Sequence, residues 1–265
     1  MSGFDLIIQP DVEEPEAAEI LVDGAVGGRP YRFLLDTGAA RSSILLDDYT
    51  AGFDSLGKHS SSGVFAAGSR DLIRVPVIAL GPITRRDFTL TRIAEKDSEM
   101  RNLIGMDLLK DHCLHFFFDE NRVAVDPEVE AGRLFQDLFL DQKFHPYVEV
   151  QFGGRKASAV WDTGAGITIV DLGLIEQNPA FFQEAGRSAG TDSTGATNET
   201  PMYLMSSAVT GRQAFPAHRV AGVDLSHLNP EAPVDLILGY NTMRQANWWF
   251  DFPGKRWGIT KMLEG

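Results

Sequence analysis

Two short stretches carry residues that could do chemistry. Asp36-Thr37-Gly38-Ala39 and Asp162-Thr163-Gly164-Ala165 each put a carboxyl at the end of an apolar run, YRFLL and ASAVW, with a further apolar run after it. An acid at the end of a buried strand is costly to desolvate and needs a reason to be there. One such motif alone reads as a turn, because Asp and Gly favour turns. Two copies at matching places read differently. A pseudo-twofold axis would bring both acids to one interface, where two close carboxyls share a proton and leave a base beside an acid.

The matching places belong to an internal repeat. Residues 20–44, ILVDGAVGGRPYRFLLDTGAARSSI, align without a gap with residues 146–170, PYVEVQFGGRKASAVWDTGAGITIV, 126 positions later. A second block, GMDLLKDHCLHFFFDENRVAV from Gly105, meets GYNTMRQANWWFDFPGKRWGI from Gly239 at an offset of 134. The second copy therefore has a slightly longer middle. The join falls in the mixed stretch DPEVEAGRLFQDLFLDQ, residues 126–142.

The elements that must position the acids read as strands. ILVDGAVGGRPYRFLLD and YVEVQFGGRKASAVWD are apolar runs around Gly-Gly, a hairpin signature. CLHFFFDENRVAV and NWWFDFPGKRWGI are again two strands around a turn. MDLLKDHCL and YNTMRQANW predict one short helix per copy. Short strands, 26 glycines and little helix predict an all-β architecture.

Composition narrows the classes. The 265 residues carry 24 Lys and Arg against 37 Asp and Glu, a formal charge of −13. Nucleic acid and anionic membrane surfaces both need a cationic face, so neither is the expected partner. The start, MSGFDLIIQPDVEEPE, lacks the basic region and apolar core of a secretory signal, and no run approaches a membrane span. The one cysteine, Cys113, excludes an intramolecular disulfide. A soluble, cytoplasmic protein is the expectation.

At these residues the chain resembles the aspartic proteases. Each half has the Asp-Thr-Gly-Ala turn. Each has an apolar-apolar-Gly element downstream, Leu103-Ile104-Gly105 and Ile237-Leu238-Gly239, which in that family packs across the catalytic loop. Between them lie glycine-bounded segments, Gly63-Val64-Phe65-Ala66-Ala67-Gly68 and Gly190-Thr191-Asp192-Ser193-Thr194-Gly195, where retroviral-type enzymes place a flap hairpin. The likeness covers about residues 18–126 and 144–260. Retroviral-type enzymes are homodimers of one lobe. This chain looks like two such lobes fused, with no tyrosine in either flap segment and Ala39 and Ala165 where pepsin-like enzymes usually carry Ser or Thr.

The resemblance implies a bilobal pepsin-like (acid protease) fold. Residues 1–137 and 138–265 would form two β-barrel lobes, related by a pseudo-twofold, with the active site between them. It implies a monomeric aspartic endopeptidase acting on peptides or unfolded protein, with Asp36 and Asp162 as the catalytic pair. Thr37 and Thr163 would interlock beneath them, and Gly38 and Gly164 would let backbone amides approach. Water held between the carboxyls attacks the scissile carbonyl without metal, cofactor or acyl-enzyme. The other class in play is a peptide-binding or scaffolding module that kept the fold and lost turnover. A carboxylate-pair glycosidase fits the symmetric repeat less well.

Other candidates read as structural. His112, Cys113 and His115 form the one cluster near metal-ligand spacing, but they lie where a helix runs into a buried strand. Cys113 reads as an inert core thiol. Trp248, Trp249, Phe250, Phe252 and Trp257 read as packing, because Phe116, Phe117 and Phe118 hold the equivalent strand. Asp11 to Glu19 reads as a solvated acidic linker after a first strand FDLIIQ, and Arg41 and Arg70 as solvated surface.

Overall fold

A computed structural model describes residues 2–62, 67–94, 100–128, 134–191, 197–228 and 232–263. The architecture is all-β: three sheets and, among the described residues, three short α-helices. The Gly-Gly hairpins form as expected. Ala18–Val26 pairs with Arg29–Leu35, and Pro146–Phe152 with Arg155–Trp161. The turn glycines have φ of +59° and +84° at Gly27 and Gly28, and +51° and +91° at Gly153 and Gly154. Positive φ at both central residues matches the right-handed twist of the strands they join. A side chain at Gly27 would also strike the Tyr49 hydroxyl, and one at Gly153 the Phe181 ring.

Each half builds one sheet in the same spatial order. In the first, Ala18–Val26, Arg29–Leu35, Leu103–Ile104, Ser43–Leu45, Ile83–Ile93, Ala67–Leu80 and Ser55–Ser62 follow one another. In the second, Pro146–Phe152, Arg155–Trp161, Leu236–Leu238, Ile169–Asp171, His218–Val223, Thr197–Met205 and Phe182–Thr191 do so. The strand that delivers each Asp runs parallel to its apolar-apolar-Gly element: Leu35 lies beside Ile104 and Trp161 beside Leu238. These two- and three-residue strands are fully buried, so they show no alternation.

The third sheet joins the halves. Its order is Gly3–Asp5, Arg122–Val125, Cys113–Phe117, Ala246–Asp251, Arg256–Met262 and Gln136–Asp137. The two equivalent aromatic strands meet at its centre, with Leu114 opposite Phe250 and Phe116 opposite Trp248. Trp161 packs beneath them, 4.5 Å from the Phe250 ring and 4.8 Å from that of Phe116, centroid to centroid. Trp248, Trp249, Phe250, Phe252 and Trp257 are all buried, so they are core, and one apolar cluster runs through both halves. No helix among the described residues is long and apolar enough to cross a membrane.

Four expectations need correction. The stretch FDLIIQ splits at Leu6 into strands that enter different sheets. A further helix, Leu172–Gln177, starts at Asp171, whose carboxylate accepts the Leu174 amide at 3.2 Å; in sequence its LGLIEQ was too short for a helical period to show. The segment Asp11 to Glu19 is solvated at Asp11–Glu13 and Pro15 but docked elsewhere. Glu14 is buried and takes a bidentate pair from Arg219 in the second half, both bonds at 3.0 Å, while the Arg219 amide donates to Glu16. Ala18 N donates to Gly166 O, which ties the strap to the loop that follows Asp162. Arg70 is also buried, whereas Arg41 is exposed as expected.

The strap should carry stability. Glu14→Gln removes one arm of the pair and leaves Arg219 under-satisfied, a loss of about 1–3 kcal/mol in urea unfolding. Arg219→Met should cost a similar amount, and the double variant less than the two together.

Candidate active site

Asp36 and Asp162 leave their strands at equivalent points. The Asp36 amide donates to Ile104 O at 2.9 Å and the Asp162 amide to Leu238 O at 3.0 Å. In each loop the Ala four residues into the motif closes a turn, Ala39 N to Asp36 O and Ala165 N to Asp162 O. The loops face each other and the two carboxyls meet in hydrogen-bond contact. Asp36 is 6% exposed and Asp162 is partly buried.

The motif glycines bring amides onto one carboxyl. Gly38 N donates to Asp162 Oδ1 across the interface at 3.0 Å, and Gly164 N to the same oxygen at 2.8 Å. A Cβ on Gly38 would collide with the Asp162 carboxyl, and one on Gly164 with that of Asp36. Only a bare α-carbon lets the chains approach this closely.

Beneath the acids the threonines interlock. Thr37 N donates to Thr163 Oγ1 and Thr163 N to Thr37 Oγ1, both at 3.0 Å. Thr37 Oγ1 passes its own hydrogen to Trp161 O at 2.7 Å. Both threonines are buried, so each exchange satisfies a donor that water cannot reach.

Electrostatics set the protonation. Burial, then the neighbouring charge of Asp162, hold Asp36 well above the usual carboxylate range. Asp162 is raised too, by burial, with the Gly164 and Gly38 amides pulling the other way. Two charges this close in a buried site are far costlier than one charge and one proton.

A second layer was not read from the sequence. In the first half, Gly105 N donates to Ser42 Oγ at 3.0 Å, and Ser42 Oγ donates to Asp107 Oδ1 at 2.6 Å. The Ser42 amide also donates to both Asp107 oxygens. In the second half, Gly239 N donates to Thr168 Oγ1 at 3.0 Å and Thr168 N to Asn241 Oδ1 at 2.8 Å. The signal was present: Ser42 and Thr168 each lie six residues after the motif Asp, and Asp107 and Asn241 two after the downstream Gly. None of these types is diagnostic alone.

Ala67, Gly68, Gly190 and Thr191, the described flap candidates, lie in two equivalent hairpins. Ser62 pairs with Ala67, and Thr191 with Thr197. Ala67 and Gly68 open one strand, while Gly190 and Thr191 close another. Gly63, Val64, Phe65, Ala66, Asp192, Ser193, Thr194 and Gly195 lie outside the described residues.

In the histidine–cysteine cluster, one nitrogen of each ring holds a hydrogen bond. His112 Nδ1 meets Asp126 Oδ2 at 2.9 Å and His115 Nε2 meets Thr260 Oγ1 at 2.9 Å. Burial pushes the Cys113 thiol up to about 12, with Asp251 and Asp126 adding to it, so it is no nucleophile.

No curated protein matches the chain. A family model described as aspartyl protease matches residues 22–108, a span that holds Asp36 and runs past the Leu103-Ile104-Gly105 element.

Proposed function

We propose that the protein is an aspartic endopeptidase of two pepsin-like lobes, residues 1–137 and 138–265, one acid from each. The observation that carries this reading is the buried contact of Asp36 and Asp162, delivered by equivalent loops and cradled by amides from both. The aspartyl-protease match over residues 22–108 supports it independently for the first half.

In this reading the pair shares one proton, and the Gly38 and Gly164 amides help to hold the charged form. The charged carboxylate takes a proton from a water held between the acids. That water attacks the carbonyl carbon of an extended peptide lying between the lobes. The protonated acid donates to the carbonyl oxygen as charge develops there. The amine then leaves with a proton passed through the same pair. The hairpins ending at Ser62–Ala67 and Thr191–Thr197 would cover the substrate, pairing with its backbone.

Digestion of a peptide library tests the reading. Wild type should cleave and be blocked by a statine-type transition-state analogue. Asp36→Asn and Asp162→Asn should each lower kcat by about a thousandfold with the fold intact. Cleavage that survives either substitution removes that acid from the mechanism. A wild type that binds peptides yet cleaves none at any pH makes the protein a binding module.

Ala39 and Ala165 predict the pH range. A hydroxyl at these positions could hydrogen-bond the outer carboxylate oxygens and favour ionisation, and alanine cannot. The optimum should therefore lie above that of digestive enzymes. A rate profile peaking in strong acid would refute this.

The same pair predicts a stability profile. A group whose folded pKa is raised adds stability that is full below its unfolded value and fades as pH rises through the folded one. Wild type should thus lose stability from the ordinary carboxylate range upwards. Asp36→Asn should flatten that slope and gain about 1–3 kcal/mol at neutral pH in urea unfolding.

A further inference from the structure

The acceptor behind the second loop is not a carboxylate but a chain of three side chains. Thr168 Oγ1 and Thr242 Oγ1 lie 2.6 Å apart, and Thr242 Oγ1 lies 2.7 Å from His218 Nε2. His218 Nδ1 lies 2.8 Å from Pro216 O. Thr168, Thr242 and His218 are all buried. We propose that His218 is a positioning residue of the Asp162 loop, acting through Thr242 and Thr168 as a neutral imidazole.

The two ends of the chain fix every hydrogen. A carbonyl only accepts, so Nδ1 carries the ring hydrogen and Nε2 is left as an acceptor. Thr242 then donates to Nε2, Thr168 donates to Thr242, and the Gly239 amide donates to Thr168. The run from Gly239 to Pro216 is complete with one hydrogen per bond. It ends next to the loop, because Tyr240 N donates to Ala165 O, three residues after Asp162.

Protonation would break this order. A hydrogen on Nε2 makes the ring a donor to Thr242, which must turn its own hydrogen towards Thr168. Thr168 Oγ1 would then receive both the Gly239 amide and Thr242, while its own hydrogen lost its acceptor. The first half has no histidine in the equivalent place, since Ser42 donates to Asp107 directly.

The surroundings favour the neutral ring. Burial is the main cause that holds His218 below the ordinary histidine range. Arg244 acts in the same direction, and the Pro216 carbonyl and Glu16 oppose it. On the strap, Glu14 is neutralised by Arg219, and Arg219 follows His218 on its own strand. A group with a lowered folded pKa gives stability that is full above its unfolded value and fades as pH falls towards the folded one. Acid should therefore weaken the hold on the Asp162 loop.

The inference rests on the aspartic-hydrolase reading for its effect on rate, but not for its structural test. Nitrogen and amide NMR of the full chain should show His218 as the Nδ1–H tautomer at neutral pH. On acidification the Gly239 and Gly164 amides should shift with the midpoint of His218, and that step should vanish in His218→Gln. An Nε2–H tautomer, or amides that ignore the ring, overturns the proposal even if no substrate is ever cleaved. With cleavage in hand, His218→Phe and Thr242→Val should each lower kcat by about tenfold to a hundredfold with KM little changed. His218→Gln, with a donor and an acceptor on one amide, should restore most of the His218→Phe loss. Equal kcat in wild type and both of these disabling variants overturns the proposal, whereas absence of cleavage in wild type removes the endopeptidase reading and leaves the NMR result to decide this one.

Discussion

Two carboxyls that must occupy one buried space are the constraint around which the molecule is arranged. An isolated buried carboxylate is costly, and a second beside it is costlier still. Sharing a proton removes one of the two charges, and amides must satisfy the other. That is why Gly38 and Gly164 stand where they do: their N–H groups reach Asp162 Oδ1 only because neither carries a side chain. The Thr37–Thr163 exchange then fixes the distance between the loops, since each hydroxyl is the acceptor for the other loop's amide. Moving one loop would leave two buried donors bare.

Behind that contact the symmetry is architectural rather than chemical. Both halves hang the Asp from a strand parallel to an apolar-apolar-Gly element, and both use the glycine amide to grip a hydroxyl. What receives that hydroxyl differs. Asp107 is a carboxylate with room for the Ser42 hydroxyl and amide together, at the cost of burying a charge whose pKa is raised by that burial. Asn241 is neutral and takes only the Thr168 amide, so the Thr168 hydroxyl must be passed on to Thr242 and His218. One solution pays in desolvation, the other in length.

The repeat and the acids were legible because their signals are local. Gly-Gly between apolar runs dictates a hairpin whatever surrounds it, and gapless offsets place Asp36 on Asp162 directly. Residues defined by distant partners were not legible. Glu14 sits in DVEEPEAAE, which has the composition of a solvated tether, and its burial depends on an arginine 205 positions away. Arg70 looked like surface for the same reason: charge gives no hint of what folds over it. Leu103–Ile104 and Leu236–Leu238 are too short for any period, and only their glycines marked them. Ser42 and Thr168 were visible as aligned residues, but their role depends on Asp107 and Asn241, more than 60 positions later.

Fusion of the halves in one chain is what permits this inequality. An assembly of two identical subunits presents every residue twice at its isologous interface, so a change beneath one acid is also made beneath the other. Two buried Asp107 equivalents would double the desolvation cost, and two His218 chains would make both loops fail together in acid. With separate sequences, the first loop rests on a charge and the second on a neutral relay. The strap adds a tie that no symmetric pair would need only once: Glu14 reaches from the first half to Arg219, the neighbour of His218, and Ala18 to the loop of Asp162. The first half thus braces the half whose scaffold is the longer, and the central sheet, with Phe116 against Trp248, keeps the two in register while it does so.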